Sequence, residues 1–168
     1  MGAHSNRNLP ALWPWALAFY ERPGVSDALL ELQDEAGLDV CELLWGFWLL
    51  THDRTPVADP ASALAPVRQW QQHYTQPLRQ LRRDLKAQVA DRPELEQMRT
   101  HIKKAELQGE HETLRRLEAL GISASIPRPE HFSFEALLHP LIGELEIHHQ
   151  RLISHLRLES ENMAPPSC

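Results

Sequence analysis

The sequence predicts an all-α protein: a single-domain bundle of about six helices, in which three long antiparallel helices carry short N-terminal helices packed across them. Apolar residues recur every three or four positions over long stretches. No segment alternates with period two over a strand length, and no internal repeat is visible. Glycine and proline sit mainly where one periodic stretch gives way to the next. A chain of 168 residues is large enough to bury roughly two thirds of its unfolded surface without disulfide staples. The expected organisation is a flexible N-terminus over residues 1–12, one helical domain over 13–158 and a flexible tail over 159–168.

Pro14 suits the start of a short opening helix over residues 15–21, stopped by Pro23 and Gly24. Ser26 is placed to cap a second helix over 27–36, with Ala28 or Leu29, Leu32 and Ala36 inward. The centre of the chain is GLDVCELLWGFWLL, residues 37–50. Gly37 provides the left-handed residue that ends a helix. Asp39 then caps the next, with Glu42 three residues on to complete a capping box and Leu38 and Leu43 at staple spacing. Beyond Glu42 the segment is apolar on every side, so it must be buried on every side. Gly46 inside it predicts a neighbouring helix crossing at close range.

Residues 52–59 read as a loop, and Asp59–Pro60 as a cap followed by proline at the first helical position. Leu64, Val67, Trp70, Tyr74, Leu78, Leu81, Leu85 and Val89 then keep helical spacing, with a bend near His73 imposed by Pro77. A second long stretch begins at Asp91 and Pro93, carries Ile102, Ala105, Gly109, Leu114 and Leu117, and closes at Gly121. After a connector over 122–130, one last helix is expected from Ser133 to about residue 158, with Leu138, Leu145, His148, Leu152 and Leu156 on its seam and a kink at Pro140.

Charge is unevenly placed. The net charge is −6, yet Arg68, Arg79, Arg82, Arg83 and Lys86 face only Asp84 over residues 68–86. An acidic protein with one basic stripe is a poor general nucleic-acid binder, although such a stripe can hold a small anionic ligand or a protein segment. No stretch approaches the ~20 apolar residues of a membrane span, and the N-terminus lacks an export signal. Cys41 in the apolar helix and Cys168 at the end suit a reducing cytoplasm.

Trp13, Ala16, Leu17 and Tyr20, then PGVSDALLELQDEAGLDVCELLWGFWL, then Trp70 with PLRQLRRDLK and finally IKKAEL together resemble a family of small proteobacterial proteins of unknown function. The likeness covers most of residues 13–120, and its specific part is the LQD, GLDV and LLW run. It implies a bacterial cytoplasmic all-helical protein and brings no catalytic residues.

Three constellations are candidates for function. Arg79, Arg82, Arg83 and Lys86 share one helix face and could clamp a carboxylate or phosphate, against the blander alternative of pairing with Glu106 and Glu110 on the next helix. Trp13, Trp48 and Trp70, together with His73, could line an aromatic groove, against the blander alternative that the tryptophans fill the core; Trp13 and Trp48 are the choices for any exposed pair. Glu106 and His148 could meet as an acid and base in the bundle interior, and Glu146, His148 and His149 offer a partial metal set with the Glu-x-x-His spacing. The chain lacks a phosphate loop, a Cys-x-x-Cys, a Gly-x-Ser-x-Gly and an Asp-rich pair. The resulting expectation is a non-enzymatic binding or adaptor protein with an aromatic and basic groove for a peptide segment or anionic amphipathic ligand, requiring no cofactor and compatible with a homodimer.

Overall fold

The computed structural model describes residues 9–56, 59–131 and 133–163. The segments expected to be flexible therefore lie largely outside the described residues, but Leu9 packs on the core and the Pro10 carbonyl accepts from Trp48 Nε1. The fold is helical: α1 Leu12–Tyr20, α2 Val25–Glu35, α3 Val40–Thr51, α4 Pro60–Trp70, α5 Gln76–Val89, α6 Glu96–Ala124, α7 Phe134–Ile142 and α8 Ile147–Glu161. Two residue pairs, β1 Arg54–Thr55 and β2 Ile126–Pro127, form an antiparallel bridge that the sequence did not announce. No helix among the described residues is long and apolar enough to cross a membrane.

Helix α3 is the axis of the molecule. Every residue from Val40 to Leu50 is buried, with α1, α2, α6, α7 and α8 all packed against it. Burying a side chain such as Trp45, Phe47 or Trp48 contributes about 1.5–3 kcal/mol, so this short segment dominates the apolar stabilisation. The corner before it forms as the sequence requires. Gly37 has φ 67°, Leu38 N–H reaches back to the Leu32 carbonyl, and Asp39 accepts from Glu42 N–H at 2.8 Å. The reciprocal half of the capping box does not form, because the Glu42 carboxylate is held bidentately by Arg68 at 2.7 Å through both Nε and Nη2. Helix α2 starts two residues earlier than expected, at Val25 after Gly24 in the left-handed region, so Ser26 lies inside it and does not cap it.

Two glycines mark where helices touch. A Cβ on Gly46 would lie 2.7 Å from Leu138 and 2.8 Å from Leu141 of α7, which is the close crossing predicted. Gly121 does not end its helix: α6 runs on to Ala124, and a Cβ at 121 would lie 2.6 Å from the Trp48 ring and 3.0 Å from Trp45 Nε1. Its missing side chain serves packing against α3.

Helices α4 and α5 form one continuous rod interrupted by a π-helical turn, Gln71–Thr75. Pro77 has no N–H for the His73 carbonyl and its ring crowds that oxygen, and the wider turn relieves both. The extra residue rotates the apolar register. Gln71 and Thr75 turn inward, while Tyr74 and Leu81, expected on the seam, are half exposed. Thr75 presses against Gly109 of α6, where a Cβ would lie 2.9 Å from its hydroxyl. This rod and α6 are antiparallel neighbours.

The last long helix is two helices. At Gly143 φ is 61° and ψ −154°, a conformation essentially restricted to glycine, and the chain breaks there, not at Pro140, which α7 accommodates. The new start at Ile147 resets the phase, so His149, Ile153 and Leu156 face inward and His148 outward.

Candidate functional site

The wedge between α1 and α2, floored by α3 and closed by α5 and α6, encloses a cavity of about 560 Å³. It exists because α1 turns Trp15, Ala16 and Phe19 into the core, leaving Trp13, Leu17 and Tyr20 on its other side. Helix α2 buries Leu29 and Leu32 and leaves Leu30 and Gln33 facing the wedge. Leu17, Leu30 and Leu107 line the cavity from three different helices, and each is about half exposed. Val40, Cys41, Leu44 and Leu114 form its inner wall.

The far end is polar. Arg79, Asp39 and Glu110 lie there, and a second, shallower hollow lined by Gln33, Gln76, Gln80 and Arg83 opens beyond them, sharing Asp39 and Arg79. Asp39 accepts from Glu42 N–H and from Gln71 Nε2 at 2.8 Å; burial raises its carboxyl despite these bonds. Burial also raises Glu110, against the pull of Arg79. Tyr20 is pushed up to about 12 by burial and by the neighbouring Glu110. The buried Cys41 thiol rises well above its ordinary value through desolvation and the adjacent Asp39 and Glu110, so it is a poor nucleophile.

The basic stripe is paired inside the fold. Arg79 donates to Glu106 at 3.1 Å and to Glu110 at 2.9 Å, Arg82 holds the same Glu106, and Arg83 pairs with Asp34 of α2 at 3.0 Å. Burial alone would raise Glu106, but the hydrogen bonds and charges of Arg82 and Arg79 outweigh it and hold the carboxyl below the usual range. Lys86 is exposed on the outer face.

The aromatic candidates separate. Trp13 lines the cavity and stacks on His111 at 4.1 Å between ring centroids. Trp48, expected to be exposed with it, is fully buried, since α3 has no solvent face to offer. Trp70 lies outside the cavity, donating to the Gly109 carbonyl at 3.3 Å beneath the Arg116 guanidinium. His73 is exposed and bonded to its own helix at Gln69.

Glu106 and His148 are not brought together, because Glu106 faces α5 whereas His148 faces α2, bonded to Glu31. Glu146 is the residue before α8 and joins no metal set among the described residues. Instead Glu31, Glu35 and His148 place one donor atom each within 4.8 Å of one another, and the buried His149 reaches Glu35 at 3.4 Å. Two carboxylates one helical turn apart and an imidazole from a facing helix are donors suited to a divalent transition metal.

Sequence reasoning missed the cavity residues Leu17, Tyr20, Leu30, Gln33, Cys41 and Leu107. A signal for the leucines was present: Leu30 and Leu107 lie off the apolar stripes of their helices, and leucines without a place in the core are candidates for a binding surface.

All residues lining the cavity fall between Trp13 and Leu114. No curated protein and no solved structure matches the chain. Residues 11–117, which contain the entire cavity, match the protein family of unknown function DUF2390, and the chain belongs to that family.

Proposed function

We propose that this is a non-enzymatic, cytoplasmic binding protein whose wedge cavity takes the apolar part of an amphipathic ligand. The observation that carries this reading is the ring of half-exposed leucines, Leu17, Leu30 and Leu107, around a concave apolar space with polar groups at one end. An adaptor role, with the side chains of a peptide in the same cavity, follows from the same surface. Catalysis is not part of the reading: Cys41 and Tyr20 are both shifted away from a reactive ionisation state at neutral pH. Arg79, Arg82 and Arg83 already face carboxylates, which favours the pairing alternative for the stripe over an anion clamp. The test uses the uncharged probe N-phenyl-1-naphthylamine, whose emission rises on leaving water. The native protein raises it saturably, and Leu30→Glu with Leu107→Glu, both at half-exposed positions, removes the rise at unchanged melting temperature. An equal rise in the double variant refutes the cavity as the site.

A second reading, metal binding, is favoured by the convergence of Glu31, Glu35 and His148. Calorimetric titration with zinc or manganese tests it. Stoichiometric heat lost in Glu35→Gln supports it, and absence of heat in the native protein removes it.

A further inference from the structure

We infer that the wedge cavity selects a cationic amphiphile, an alkyl chain or apolar body ending in an ammonium or guanidinium group. This rests on the binding reading above and specifies its ligand. Glu21, Asp39 and Glu110 line the cavity against one guanidinium, that of Arg79. That guanidinium is already engaged twice, by Glu110 and by Glu106 from behind, so its charge is compensated before any ligand arrives. The compensation is local and geometrically fixed, with bonds of 2.9 and 3.1 Å across the α5–α6 seam. An entering anion would either break the Arg79–Glu110 pair or sit among carboxylates. An entering cation meets no such conflict: Arg79 binds Glu110 through one carboxylate oxygen, Oε1, and among the described residues the other takes no hydrogen bond.

The walls agree with the charge. Trp13 and Tyr20 present indole and phenol rings to the same space, and aromatic faces attract alkylammonium groups. The apolar length is supplied by Leu17, Leu30 and Leu107 toward solvent and Leu44 and Leu114 inside. A cation at the Glu110 end with its chain lying outward along the leucines satisfies both halves of the cavity at once. Glu21, exposed on the rim, adds negative potential along the path of entry and raises the association rate of a cation.

The experiment displaces bound N-phenyl-1-naphthylamine with octylammonium, octanol and octanoate, which share chain length and differ in head charge. Octylammonium is expected to displace the probe at a concentration at least about tenfold below octanoate, with octanol between them. Glu110→Gln narrows that ratio. Because this change also frees Arg79, Glu21→Gln provides a second variant outside the ion-pair network and is expected to narrow the ratio at unchanged melting temperature. Octanoate binding as tightly as octylammonium, or a ratio that neither variant moves, overturns the charge assignment while leaving the binding reading intact. Failure of all three to displace a bound probe overturns the amphiphile. If the probe itself does not bind, the binding reading fails and this inference fails with it.

Discussion

Arg79 of α5 and Glu110 of α6 pair at 2.9 Å at the polar end of the cavity, and the same guanidinium reaches back to the buried Glu106. A residue that looked like part of a ligand clamp is thus a wall of the cavity and a strut between two helices. Glu106 is the keystone of that strut, because Arg79 and Arg82 both depend on it.

Glu106→Gln leaves two partly buried guanidinium groups short of a carboxylate. We expect a loss of about 2–3 kcal/mol at neutral pH, the lower end of the range for broken buried pairs since both arginines retain some solvent. The folded carboxyl lies below its ordinary value of 4.5. Its contribution is therefore full above that value and lost as pH falls through the folded one. Urea unfolding at neutral and strongly acidic pH checks both points: native and variant converge in acid, and a gap persisting there contradicts the assignment.

The two helix-crossing glycines differ in what they face. At Gly121 an added Cβ meets indole rings locked in the core, so Gly121→Ala should lower stability by about 1–3 kcal/mol. At Gly46 it meets the flexible ends of Leu138 and Leu141, and the gain of ~1 kcal/mol in helix propensity offsets much of the conflict. Thermal melts of the two variants should rank them in that order.

Gly143 isolates backbone strain from packing, because nothing lies within 4 Å of the position a Cβ would take. Gly143→Ala is expected to lower stability by about 1–3 kcal/mol through the dihedral angles alone. Urea unfolding reads the loss, and a Gly143→Ala variant as stable as the native protein would contradict a strained backbone at this position.

His148 bonds to Glu31, which raises its pKa above 6.5, with Glu35 adding to the rise and Arg151 opposing it. A raised imidazole stabilises the fold fully below its unfolded value and loses that contribution as pH rises through the folded one. The α2–α8 seam should therefore be tighter below the ordinary imidazole value of 6.5 than well above it. Comparing melts of the native protein and His148→Ala in mildly acidic and in alkaline buffer tests this, since the alanine variant has the smaller pH difference.

Much of the architecture was legible in the chain because it is encoded locally. Gly37 with Asp39 dictates a corner, Asp59 with Pro60 dictates a helix start, and a segment apolar on every side must become the core wherever it lands. The family likeness was legible too, and the match to the family spans residues 11–117. Whether the basic stripe is free or paired with Glu106 and Glu110 was a choice the sequence posed and did not decide. Arg79 and Glu110 stand 31 residues apart, and only the docking of α6 on the rod converts two surface charges into one internal pair. The π turn at Gln71–Thr75 and the break at Gly143 each changed the phase of the helix that follows, burying Thr75 in place of Tyr74 and His149 in place of His148. One residue of phase is about 100° of rotation, so a correct helix assignment can still misplace every side chain on it. The sequence by itself determined the helices, the corner and the buried centre, because these follow from capping, proline and apolar periodicity. The tertiary structure alone decided where Leu17, Leu30 and Leu107 meet around an open space, because a cavity is a property of helices that diverge and no single helix contains one.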